Sequence, residues 1–138
     1  MSSELAQDRP DFSGNWILNR EASTLSPGAD GVQSFVWRID HCEPTFRHKA
    51  TGVTGSNPIE YEYELRSDGP DVAPDTDGAS LRWDGDTLVV MFRTKRPEGD
   101  MLILFRYELI DAGRRLRATE QVRGTDHDQE NVWMFERQ

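Results

Sequence analysis

A single cysteine, Cys42, rules out an intrachain disulfide, so the chain must hold its fold without covalent staples. Scarce cysteine also suits a reducing compartment, and a cytoplasmic location is the expectation. Basic residues are few beside acidic ones, 16 against 25, for a formal net charge of −9. Such a balance is repelled by a phosphate backbone or an anionic lipid surface, so neither nucleic acid nor membrane is expected as a partner. No run nears the roughly 18 apolar residues that a membrane-spanning helix needs. Residues 1–9 lack an apolar stretch and carry acids, and no signal peptide is expected there.

Recognisable catalytic and phosphate-binding motifs are missing too. Glycines stand singly at turns, with neither Gly-x-Gly-x-x-Gly nor a Walker sequence. His41 and Cys42 are neighbours, so on an extended strand they face opposite ways. Asp126-His127-Asp128 falls in a turn with no second His near it in sequence. Asp71, Asp75 and Asp77 lack the spacing and closing Glu of a calcium loop. Haem ligation by His48 or His127 has no accompanying motif. Neither a metal nor a cofactor is expected.

What is present is a dense alternation of strand and turn signals. The 138 residues suffice for one core, and a 9% aromatic content argues against disorder. Turn-forming residues recur at 52–58, Asp68-Gly69-Pro70, Asp77-Gly78, Asp84-Gly85, 97–100, Ala112-Gly113 and 124–126. Strands are predicted between them at 12–19, 32–41, 44–51, 58–67, 79–84, 87–96, 101–110, 115–123 and 130–137. Asp84-Gly85 suits a type I′ hairpin turn. The one helical turn expected lies near Arg20 to Ser23, ended by Pro27-Gly28. Residues 1–11 read as a flexible arm ahead of a single domain, 12–138.

Side-chain parity gives each strand one oily and one charged face. Ile59, Tyr61, Tyr63 and Leu65 oppose Glu60, Glu62 and Glu64; Leu88, Val90 and Phe92 oppose Arg93 and Lys95. Arg115, Arg117 and Arg123 fall on a wet face, expected to look toward the Glu-rich strands. With no helices to cover them, the oily faces must turn toward one another. The predicted architecture is all-β: a closed or nearly closed antiparallel up-and-down barrel of about eight to ten strands. An unpaired edge would leave it a monomer or a homodimer.

Phe12-Ser13-Gly14-Asn15-Trp16-Ile17-Leu18 resembles the Gly-x-Trp opening of lipocalins and fatty-acid-binding proteins, and Asn131-Val132-Trp133-Met134-Phe135-Glu136-Arg137 resembles their last strand. The chain is thus similar to a calycin barrel, a short bacterial-type lipocalin-like domain. The resemblance implies that Trp16 closes the narrow end, that Gly14 permits close backbone approach, and that Arg117, Arg123 or Arg137 covers the Trp. Two departures stand out. Only 12 residues separate Asn19 from Val32, too few for the helical lid of fatty-acid-binding proteins. Where those proteins turn an Arg and a Tyr inward to hold a carboxylate, this chain has Trp133 and Phe135, which favours a neutral or aromatic ligand.

The predicted inward apolar set includes Phe35, Trp37, Phe46, Trp83, Phe92, Phe105, Trp133 and Phe135, which are the candidate ligand-binding residues. Such bulky rings cannot all meet on the axis, so a cavity for one small hydrophobic molecule is expected. His48, Tyr61, Tyr63, Tyr107 and Glu120 share the inward parity as candidate anchors, or as acid and base in a small cyclase- or isomerase-like enzyme. A carboxylate such as Glu120 in an apolar barrel must find a hydrogen-bonding partner or give up its charge.

Overall fold

Strands with one oily face each can bury it by curling a single sheet upon itself, and this chain does so. The computed structural model describes residues 9–27, 29–70, 77–124 and 128–138. Nine antiparallel strands follow in order: β1 (Gly14–Leu18), β2 (Val32–Cys42), β3 (Thr45–Thr54), β4 (Asn57–Arg66), β5 (Gly78–Asp84), β6 (Thr87–Thr94), β7 (Met101–Ile110), β8 (Arg115–Arg123) and β9 (Gln129–Arg137). In space the order is β4-β3-β2-β1-β9-β8-β7-β6-β5. First and last strands therefore pair, with Trp16 opposite Arg137. The two edges left over are β4 and β5; no ladder joins them among the described residues, so the barrel is nearly closed. None of the described helices is long and apolar enough to cross a membrane.

All nine predicted strands are present, and their differences are local. β3 runs on through Gly52, which had read as the start of a turn. A Cβ there would collide with the Ser34 carbonyl, because β2 bulges between Val32 and Ser34 and presses its backbone on β3. Pro58 sits in β4, an edge strand, where a missing N–H is tolerated. In the β5–β6 hairpin Asp84 pairs with Thr87, so the loop is Gly85-Asp86, and only Gly85 takes a positive φ, 62°. That is the type II′ pattern, with Gly at the first central position, rather than the expected type I′.

No helix forms at 20–23. Ser23 N–H reaches the Arg20 carbonyl at 3.2 Å, but the Asn19 side chain takes the Ala22 N–H and the chain straightens. Thr24 then bridges Val132, so the segment after β1 lies along β9. The one 3-10 turn among the described residues is Asp111–Gly113, between β7 and β8, where Asp111 and Ala112 hold φ near 52° and 57°. Arg115 and Arg117 meet Glu136 at 2.9 Å and Glu108 at 3.3 Å on the flanking strands, not the Glu-rich β4. Residues 1–8, Gly28, Asp71, Asp75, Asp126 and His127 lie outside the described residues.

Candidate functional site

One end of the tube is filled. Trp16, wholly buried, donates from Nε1 to the Phe12 carbonyl at 3.0 Å, and the Arg137 guanidinium lies over its ring, 4.3 Å from the centroid. Of the three arginines considered for this cover, Arg137 supplies it. Its Nη1 and Nε also donate to the carbonyls of Ser13 and Gly113, at 2.8 and 2.9 Å. Gly14 leaves room for that guanidinium, since a Cβ would stand 2.6 Å from Nη1.

A polar group unforeseen from sequence completes this end. The Phe12 N–H donates to His41 Nδ1, so the neutral ring carries its proton on Nε2, which faces Glu43 Oε2 at 2.6 Å. Glu43 Oε1 accepts from Ser67 Oγ and from Trp83 Nε1, at 2.7 and 2.8 Å. Burial would raise the Glu43 carboxyl, but these donors outweigh it and hold it below its usual range. Phe46 and Trp83 pack here against His41 and Phe12, and Cys42 faces outward.

At the other end the rings stand apart. A cavity of about 560 Å³ opens among β2, β4, β6, β7, β8 and β9. Its wall includes Phe35, Trp37, Tyr61, Tyr63, Phe92, Phe105, Tyr107, Glu120 and Trp133, so most of the candidate side chains are brought together. Phe46, Trp83, Phe135 and His48 do not line it. Phe135 stacks on Trp37, centroids 4.1 Å apart, and supports the wall from behind. Ala29, Val32, Ile103, Gln129 and Asn131 belong to the wall as well. Asn131 shares the parity of Trp133 and Phe135, and that signal was there to be read; Ala29 carried none. Glu62 lies on the outward face of β4 and borders the cavity because β4 is a free edge.

Two polar devices serve this wall. His48, fully buried, meets Tyr63 Oη through Nδ1 at 2.9 Å, and Tyr63 Oη meets Tyr107 Oη at 3.2 Å. Burial pushes His48 down to about 3 and raises both phenols, so all three groups are neutral at pH 7. His48 Nε2 has no partner. An orphaned N–H is costlier than an orphaned lone pair, which places the proton on Nδ1. Tyr63 then accepts from His48 and donates to Tyr107, and the Tyr107 hydroxyl proton is left for the cavity.

The second device is Glu120. Its Oε1 accepts from Trp133 Nε1 and Asn131 Nδ2, both at 3.0 Å. Asn131 is buried, and its Oδ1 accepts the Ser26 N–H at 2.7 Å. The carboxylate has therefore found neutral donors rather than an arginine. Among the described residues no group of His, Cys, Asp and Glu is arranged to hold a metal.

A nearly closed antiparallel barrel around an interior cavity, with one end shut by a Trp under an Arg, is the calycin type of fold. Known structures agree. The fluorescent protein UnaG matches with a TM-score of 0.62 at 14% identity, over 92% of this chain and 97% of that one. Zebrafish ileal bile acid-binding protein, complexed with cholic acid, matches at 0.56 and 12%, over 92% and 98%. The fatty-acid-binding protein of Manduca sexta matches at 0.52 and 15%, over 89% and 98%. At such identities the likeness is one of fold. No family profile matches the sequence, and no curated protein does.

Proposed function

We propose that this barrel binds one small, largely apolar, neutral molecule, ring-containing or polyene-like, in the cytoplasm. The observation that carries the reading is the cavity of about 560 Å³, of the size drug-like ligands occupy and walled mainly by aromatic side chains. The fold-likeness to proteins named for fatty acids and bile acids supports an interior ligand. No carboxylate clamp is offered: Trp133 lines the wall and Phe135 lies behind it. The test is a titration with N-phenyl-1-naphthylamine, a neutral probe that brightens in apolar surroundings. Saturable one-to-one binding is expected, weakened by Phe92→Ala in the wall and untouched by Ile17→Ala on the outer face. Absence of saturable binding by any hydrophobic probe rejects the reading.

The His48–Tyr63–Tyr107 chain favours a second reading, a cofactor-independent cyclase or isomerase of natural-product type. Neutral groups of this kind do not abstract protons at pH 7; the Tyr107 hydroxyl instead polarises a carbonyl while the walls fold the substrate. The molecule retained through native purification, returned to fresh protein and followed by chromatography, decides the matter. Conversion slowed by Tyr107→Phe supports catalysis, and unchanged recovery rejects it.

A further inference from the structure

We propose that Glu120 selects the polar group of the ligand: the cavity takes a ring-bearing molecule offering an O–H or N–H donor, and turns away molecules of like shape that carry a carboxylate or sulfonate. The inference rests on the ligand-binding reading above and deepens it. The wall holds two carboxylates, Glu62 and Glu120, and among the described residues it holds no Lys, Arg or His. Trp133, where the resemblance would put an inward base, spends its one donor on Glu120 itself.

Glu120 is also held in place. Asn131 donates to it through Nδ2 while its own Oδ1 is fixed by the Ser26 N–H, so this amide cannot turn over without losing both bonds. Both protein donors reach Oε1, and among the described residues Oε2 has none. A carboxylate offers about four acceptor positions. One so fixed on an aromatic wall is left under-satisfied by a hydrocarbon, completed by a donor, and set against an anion at short range in a medium that screens poorly.

Three probes on one skeleton test this with the full chain: N-phenyl-1-naphthylamine, its N-methyl derivative, and 8-anilino-1-naphthalenesulfonate. The amine should bind about tenfold more tightly than the N-methyl compound, and at least about tenfold more tightly than the sulfonate, the size of one hydrogen bond lost or one like charge opposed. Glu120→Gln keeps an acceptor for Trp133 and Asn131 but presents an amide N–H in place of the second oxygen, so both preferences should shrink to about threefold or less. A sulfonate bound as tightly as the amine by the native chain overturns the proposal. So does an unchanged ranking in a folded Glu120→Gln protein. Should that variant not fold, the three affinities of the native chain decide alone. Equal binding of all three probes leaves the cavity standing and removes the selection; binding of none removes the cavity reading first.

Discussion

The tube is finished differently at its two ends. Where β1 begins and β9 ends, Phe12, Trp16 and Phe46 are wholly buried, and every polar side chain among them has a protein partner. Where β9 begins, Phe92, Ile103 and Phe105 are partly exposed, and Tyr61 is 37% exposed. The same period of two builds both ends. The difference lies in what crosses the axis: the filled end receives Phe12 and Glu43 from outside the regular ladder, beside His41 at the end of β2, and among the described residues outside the ladder that line the cavity the open end receives Ala29. Irregular chain helps to close one end, and a cavity remains where the described residues send less across the axis.

Trp16→Ala should therefore produce the largest loss of stability, about 3–5 kcal/mol, as for a fully buried ring. Phe105→Ala, at the open end, should cost clearly less while weakening probe binding. Equal shifts of the urea midpoint in the two variants would erase the contrast.

Acid sharpens it next. His48 titrates near 6.5 unfolded and near 3 folded, so below pH 6.5 the unfolded chain binds the extra proton. Stability is full above that pH and should fall by up to about 1.4 kcal/mol per unit as the pH drops toward 3. His48→Phe, which also removes the orphaned nitrogen, should flatten that part of a stability–pH curve. Glu43, held low in the fold, stabilises above its unfolded pKa of 4.5 and gives that up as the pH falls from there through its folded value.

Arg137→Met should cost about 1 kcal/mol, the value of an exposed cation–π contact and its hydrogen bonds, and should leave probe affinity alone. Smallest is Ala112→Gly: relief of a left-handed alanine should raise stability by up to about 1 kcal/mol, read from the same urea titration.

The ladder was legible because parity and turns are local signals. Ile59 through Leu65 and Leu88 through Phe92 show it residue by residue. The cavity wall was partly legible for the same reason, since inward parity marks Phe35, Phe105 and Glu120 without telling how far along the axis each one sits. That distance separates Phe46, at the filled end, from Phe35, at the cavity; it depends on register and strand tilt, which no local pattern carries. The group of His41, Glu43, Ser67 and Trp83 was hidden altogether, because up to 41 residues of chain lie between its members and turns and strand ends assemble it. Glu120 shows both sides: its inward parity could be read, but its partners are Trp133 and Asn131 one strand away, not an arginine.

The seam between β4 and β5 has a consequence for traffic. Everywhere else, widening the tube would break a row of backbone hydrogen bonds, but among the described residues no such row joins these two margins. Tyr61 and Tyr63 sit on one of those margins and also face the interior space, while Glu62 borders it from the outer face. For the proposed ligand, one broader than the mouth would have a side door here, framed by a strand that also lines the cavity.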